Sequence, residues 1–161
     1  MSDWFVGKNM DYANNLIRLI YSSKHTSDFQ LHEALVIENT ANKKNPLIGV
    51  TGMLFCNSEG YLQVLEGPRV NVSNLFLKIS QDTRHKDPML ISVEDIQKRM
   101  FGVWAMRVID SSTAEENVIE FLKHKYDCQG HKEFPIMKDV SLSTMFLLDL
   151  QTVLLSNPQT R

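Results

Sequence analysis

The chain is poor in the residues that most often announce chemistry. Its two cysteines, Cys56 and Cys128, lie far apart and form no C-x-x-C pair. No disulfide framework or dithiol redox motif is expected, and both read as free thiols serving as small hydrophobes. Five histidines are scattered without the spacing of zinc ligands. There is no Walker loop, no G-x-S-x-G, no H-E-x-x-H and no G-x-G-x-x-G. Glu115-Glu116 and His124 fall near expected helix ends, where charge complements the helix dipole. Neither sign of charge dominates: a formal net charge of −2 gives no general attraction to nucleic acid or to an anionic membrane. No apolar run approaches the ~18 residues of a membrane span, and residues 1–15 lack the apolar centre of a signal peptide. These absences lead us to expect a cytoplasmic, non-enzymatic protein with no nucleic-acid or membrane partner.

What is present is a real core, with 43% hydrophobic residues, in a length that suits one domain plus an appended segment. Residues 1–15 read as a mobile extension in which Trp4 and Phe5 could dock on a neighbour. Residues 16–110 read as the folded domain and residues 111–161 as a helical extension. Leu16 to Ser22 alternates as a strand, with Ile17, Leu19 and Tyr21 on one face and Arg18, Ile20 and Ser22 on the other. Ser27 and Gln30 form a capping box for a helix that ends near Asn45, before Pro46. Ile48 to Cys56 predicts a second strand, in which Gly49 and Gly52 mark close approaches. The turn Asn57-Ser58-Glu59-Gly60 returns the chain as Tyr61 to Glu66. Pro68 suits the first turn of a second helix carrying Val72, Leu75, Phe76 and Ile79.

Met89 to Ile96 and Phe101 to Ile109 predict two further strands, with Trp104, Met106 and Val108 on one face of the last. The order β-α-β-β-α-β-β matches the α+β, ferredoxin-like plan: one sheet with two helices on one face. Two C-terminal helices follow. One is capped by Ser112 and Glu115. After a linker over residues 127–138, the other starts at Ser141, and its broad apolar surface should cover the bare sheet face or another subunit.

Within this plan a few polar side chains fall in apolar runs. Gln63 sits in Tyr61-Leu62-Gln63-Val64-Leu65-Glu66-Gly67, and a buried amide needs partners for one acceptor oxygen and two donor hydrogens. The first and third strands are neighbours at the centre of such a sheet, so the Tyr21 phenol and the Gln63 amide can meet across them. Asn45 closes the first helix at the same end, and Trp104 and Met106 approach from the fifth strand. Singly, each has an ordinary reading as core, surface or helix terminator. Together they suit a planar, polar-edged heterocycle held between the helices.

Leu19-Ile20-Tyr21-Ser22-Ser23, Asn45-x-x-x-Gly49-Val50-Thr51-Gly52-Met53-Leu54-Phe55, Leu62-Gln63-Val64-Leu65-Glu66-Gly67, Asp82-x-Arg84-His85 and Phe101-x-x-Trp104-x-Met106 together resemble the BLUF domain, a blue-light sensor using FAD. The resemblance spans Leu16 to Ile109, and the remaining tail is similar to that of the short, single-domain members. It implies that Tyr21 donates an electron and a proton to the excited flavin. Gln63 would link the phenol to the flavin and rearrange after light, and Asn45 would bond the flavin carbonyl edge. Trp104 and Met106 would report the signalling state, while Lys78, Asp82, Arg84 and His85 would hold the ribityl and phosphate end. Lys44 and Ala41 depart from residues common in the family near the ring, which bears on spectrum and recovery rate. A homo-oligomer and an unidentified downstream signalling protein are the implied partners. The alternatives are a ferredoxin-like small-molecule or RNA-binding module, or an acyl-phosphate hydrolase. The first lacks a basic surface and an RNP1 pattern, and the second lacks an Arg-bearing glycine loop.

Overall fold

Apolar residues on both faces of Leu16–His25 make β1 a strand buried on two sides, as its nearly unbroken burial shows. The computed structural model describes residues 14–26, 31–58, 60–111, 116–126 and 140–156. After β1 come α1 (Leu31–Lys44), a short 3-10 turn (Asn45–Ile48), β2 (Thr51–Cys56) and β3 (Gly60–Pro68). Then follow α2 (Arg69–Ser80), β4 (His85–Asp95), β5 (Arg107–Asp110), α3 (Glu116–Lys125) and α4 (Val140–Ser156). The extension over residues 1–13, both capping boxes and the whole expected linker with Cys128 lie outside the described residues.

The sheet runs in the order β4-β1-β3-β2-β5. β1 is antiparallel to both β3 and β4, β2 is antiparallel to β3, and β5 joins the edge of β2 in parallel. The neighbourhood of the first and third strands therefore stands as expected, and Tyr21 is directly opposite Gln63. Each face of the sheet carries its own core. Ile17, Leu19, Tyr21, Leu54, Leu65 and Met106 pack with Ala34 of α1 and Val72 of α2. Ile20, Met53, Phe55, Leu62, Val64 and Phe101 pack with Val118 of α3 and with Phe146, Leu147, Leu150 and Leu154 of α4. The tail thus covers the second sheet face.

Several expectations are corrected. Phe101 to Met106 is not strand: β5 begins only at Arg107, and the preceding residues form a loop. Trp104 and Met106 also do not share a face. Met106 is buried in the α1–α2 core, as Val108 partly is, whereas half-buried Trp104 packs against the α4 core. Gly102 and the side-chain ties of this loop break the alternation that a period-two reading assumes. The second strand starts three residues late, because Pro46 opens a 3-10 turn closed by Gly49 in the left-handed region at φ +63°. Gly49 therefore serves a turn. Gly52 serves a close approach as expected, since a Cβ there would lie 2.1 Å from the Val64 carbonyl oxygen. Pro68 ends β3 and caps α2 instead of entering its first turn. β4 starts four residues earlier than expected, at His85.

Candidate functional site

The site is built where three elements point side chains at one space. β1 and β3 supply Tyr21 and Gln63 from facing positions, both almost wholly buried. The Tyr21 hydroxyl donates a hydrogen bond to Gln63 Oε1. Gln63 Nε2 donates onward to Met106 Sδ at 3.3 Å. Thioether sulfur is a weak acceptor, so this amide donor is held loosely compared with a bond to oxygen. Burial drives the Tyr21 phenol pKa well above its ordinary value, and the nearby Tyr61 and Asp82 add to it. The phenol keeps its proton at any physiological pH and is positioned to hand it to Gln63.

A cavity of about 460 Å³ opens above this pair, between α1 and α2. Gln63, Asn45 and Met106 line its inner part together with Leu54 and Ile79. Tyr21 does not reach the cavity wall: it lies behind Gln63, with Phe76 packed edge-on at a ring distance of 5.1 Å. Asn45 is 3% exposed and its Nδ2 donates to the Ala105 carbonyl at 3.0 Å, so it also fastens the loop before β5. Lys44, Lys78, Asp82, Arg84 and His85 line the outer part. Arg84 grips Asp82 through Nε at 2.9 Å and Nη2 at 2.6 Å. These bonds lower the Asp82 carboxyl to about 2. Burial lowers His85 to about 4, and its Nδ1 lies 2.8 Å from Ser23 Oγ. Eight of the nine residues singled out from sequence thus meet at or behind one cavity. Trp104 is the exception, on the far side of the sheet.

Sequence reasoning missed the residues that hold this geometry. Glu38 and Asn42, one turn apart on α1, accept from the backbone amides of Val108 and Met106, each at 3.0 Å. Arg18 and Glu66 form a buried ion pair on the opposite sheet face, with Arg18 Nε donating to Glu66 Oε1 at 2.8 Å. Their signal was present: each is a charge set within the apolar part of a central strand, and the signs are opposite. The i, i+4 spacing of Glu38 and Asn42 was equally visible, but nothing in the sequence showed which strand edge they face.

A family model described as BLUF, sensors of blue-light using FAD, matches residues 16–107. The beta subunit of a photoactivated adenylate cyclase from Euglena longa is 37% identical over 105 residues. The match covers 63% of this chain but only 12% of that protein. The blue light- and temperature-regulated antirepressor BluF of Escherichia coli is 29% identical over 124 residues, covering 77% of this chain and 30% of its own length. Among solved structures, the dark-state BLUF protein BlrB superposes with a TM-score of 0.65 at 26% identity, covering 83% of this chain and 97% of that one. The photo-activated state of BlsA gives a TM-score of 0.70 at 25% identity, covering 84% and 94%.

Proposed function

The chain belongs to the BLUF family, which senses blue light through a bound flavin, and we propose that Tyr21 and Gln63 carry its photochemistry while the loop before β5 carries the signal out. The RNA-binding and hydrolase alternatives are set aside with that membership. The carrying observation is the Tyr21–Gln63 hydrogen bond at the floor of a cavity whose walls suit a flavin. About 460 Å³ falls within the ~300–1,000 Å³ of cofactor pockets. Its inner end offers amides to a polar-edged ring, and its outer end offers Lys44, Lys78 and Arg84 against the single carboxylate Asp82. That excess of cations suits an anionic chain with more than one phosphate, so FAD is the flavin proposed, with Asn45 and Gln63 at the ring and Lys78, Asp82, Arg84 and His85 toward the phosphates.

When bound, the flavin supplies blue absorption and a strong oxidant in its excited state. Tyr21 would give an electron to that oxidant, and its proton, far more acidic once the phenol is oxidised, would pass to the Gln63 amide. With the electron and the proton both back on Tyr21, the Gln63 amide would be left rotated or tautomerised. It would then present a different edge to Met106. A few hydrogen bonds redistributed in a dry pocket are worth about 1–3 kcal/mol, enough to bias a two-state element.

The chain is read as a sensor of the ferredoxin-like plan with a helical tail, acting through a homo-oligomer or a partner protein and without turnover of its own. It covers 10–13% of the cyclase subunits and subunit-like proteins it matches, so their nucleotide chemistry is not carried over. Among the described residues no helix is long and apolar enough to cross a membrane; a cytoplasmic site of action is part of the proposal. The test is a visible spectrum of flavin-saturated protein before and after blue light. A reversible red shift is expected; colourless protein at saturating FAD overturns the reading.

A further inference from the structure

Residues 99–106 are tied at both ends, and the two ties lie on opposite faces of the sheet. On the cavity side, Met106 Sδ accepts from Gln63, the Met106 amide donates to Asn42, and the Ala105 carbonyl accepts from Asn45. On the α4 side, Glu66 Oε1 accepts from the Met100 amide at 3.1 Å and Glu66 Oε2 from the Phe101 amide at 2.8 Å. Gln151 of α4, 7% exposed, donates from Nε2 to the Met100 carbonyl at 2.7 Å. Both backbone groups of Met100 are therefore held, one by the β3 strand that also carries Gln63 and one by the C-terminal helix. Glu66 is fixed in turn by Arg18, whose guanidinium lies 5.9 Å from the Phe101 ring centre.

We propose that Gln151 is the positioning residue through which this loop reports the state of Gln63 to α4. Glu66 is the fixed anchor, because it is wholly buried and saturated by one guanidinium and two amides. Gln151 is the movable one: it is a single neutral bond on a flexible side chain, reaching from one element to the backbone of another. When the Gln63 amide changes its bond to Met106, the loop shifts between its ties. The Met100 carbonyl is the point where α4 feels that shift. One such bond is worth about five-fold in an equilibrium constant.

The inference rests on the photosensor reading above, and the experiment separates the two. Hydrogen–deuterium exchange of the FAD-loaded full chain is measured dark and under blue light for wild type, Gln151→Met and Thr152→Val. The methionine keeps length and apolar stem but cannot donate. Thr152 is exposed on the neighbouring helix position and serves as control. In wild type and Thr152→Val, light changes exchange both in residues 99–106 and in α4. In Gln151→Met, the flavin red shift and the loop response persist, and the light-dependent change in α4 falls about five-fold. An undiminished α4 response in Gln151→Met, with a normal red shift, overturns the coupling alone. Gln151→Leu gives the same reading should the methionine variant unfold. Wild type without any red shift overturns the photosensor reading and this inference with it.

Discussion

Tyr21 and Gln63 illustrate what single side chains contribute. The phenol is fully buried, held as a neutral donor by desolvation, and has one acceptor, the Gln63 amide. Tyr21→Phe removes the only atom that can give a proton along this path while leaving a ring of nearly the same volume. The expected outcome is a protein that still binds flavin and folds as before but shows no light-induced red shift. Absorbance difference spectra check it, and a retained shift counts against the assigned role. His85 gives a pH prediction. Burial depresses its folded pKa from 6.5 to about 4, so the unfolded chain binds more protons in that interval. Its contribution to stability is complete above pH 6.5 and is lost as pH falls toward 4. Thermal midpoints of the protein should therefore drop across pH 6.5 to 4, and the drop should be shallower in His85→Gln. The Tyr21–Gln63 pairing was legible because strand alternation and sheet order determine it together. The opposite placement of Trp104 and Met106 was not, because both lie outside the strand whose period was applied to them.

At the scale of elements, strands and helices with strong periods were readable and the passages between them were not. β1, β3 and α2 fall close to where their apolar patterns put them. The loop over residues 99–106 owes its shape to distant side chains: Glu66 holds the amides of Met100 and Phe101, and Arg99 donates to the Gly49 carbonyl at 2.6 Å and to Thr51 Oγ1 at 2.9 Å. Such tertiary bonds leave no local periodicity. They do make a strong prediction. Glu66→Ala leaves the Arg18 charge buried beside an empty space, keeping only Glu94 on its half-exposed side, and strands two backbone amides. A loss of roughly 3–5 kcal/mol is expected, the usual cost of removing one partner from a buried ion pair. Urea denaturation measures it. A loss under ~1 kcal/mol would mean that the pair does not organise the loop.

The described residues form one sheet with two separate cores, and that separation makes stability and photochemistry distinguishable. The apolar surface of α4 looked too broad for a shallow contact, and the structure seats it on the face of the sheet away from the cavity. Phe146 lies at the centre of that core, fully buried and edge-on to Phe55 at 4.9 Å. Phe76 sits in the other core, against Tyr21. Phe146→Ala should cost about 3–5 kcal/mol, or roughly 10 °C in the thermal midpoint, with the dark flavin spectrum unchanged. Phe76→Leu alters volume far less, so its cost in stability should be about 1 kcal/mol. It nevertheless changes the surroundings of the Tyr21 ring and so should change the rate at which the red-shifted state returns to the dark one. The comparison of the two variants is therefore a crossed one: a large change in midpoint with the dark spectrum intact, and a small change in midpoint with altered recovery. If Phe146→Ala shifted the dark spectrum as well, the sheet would be transmitting packing from one face to the other in the ground state. The loop before β5 would then share its role with the packing of α4 on the sheet itself.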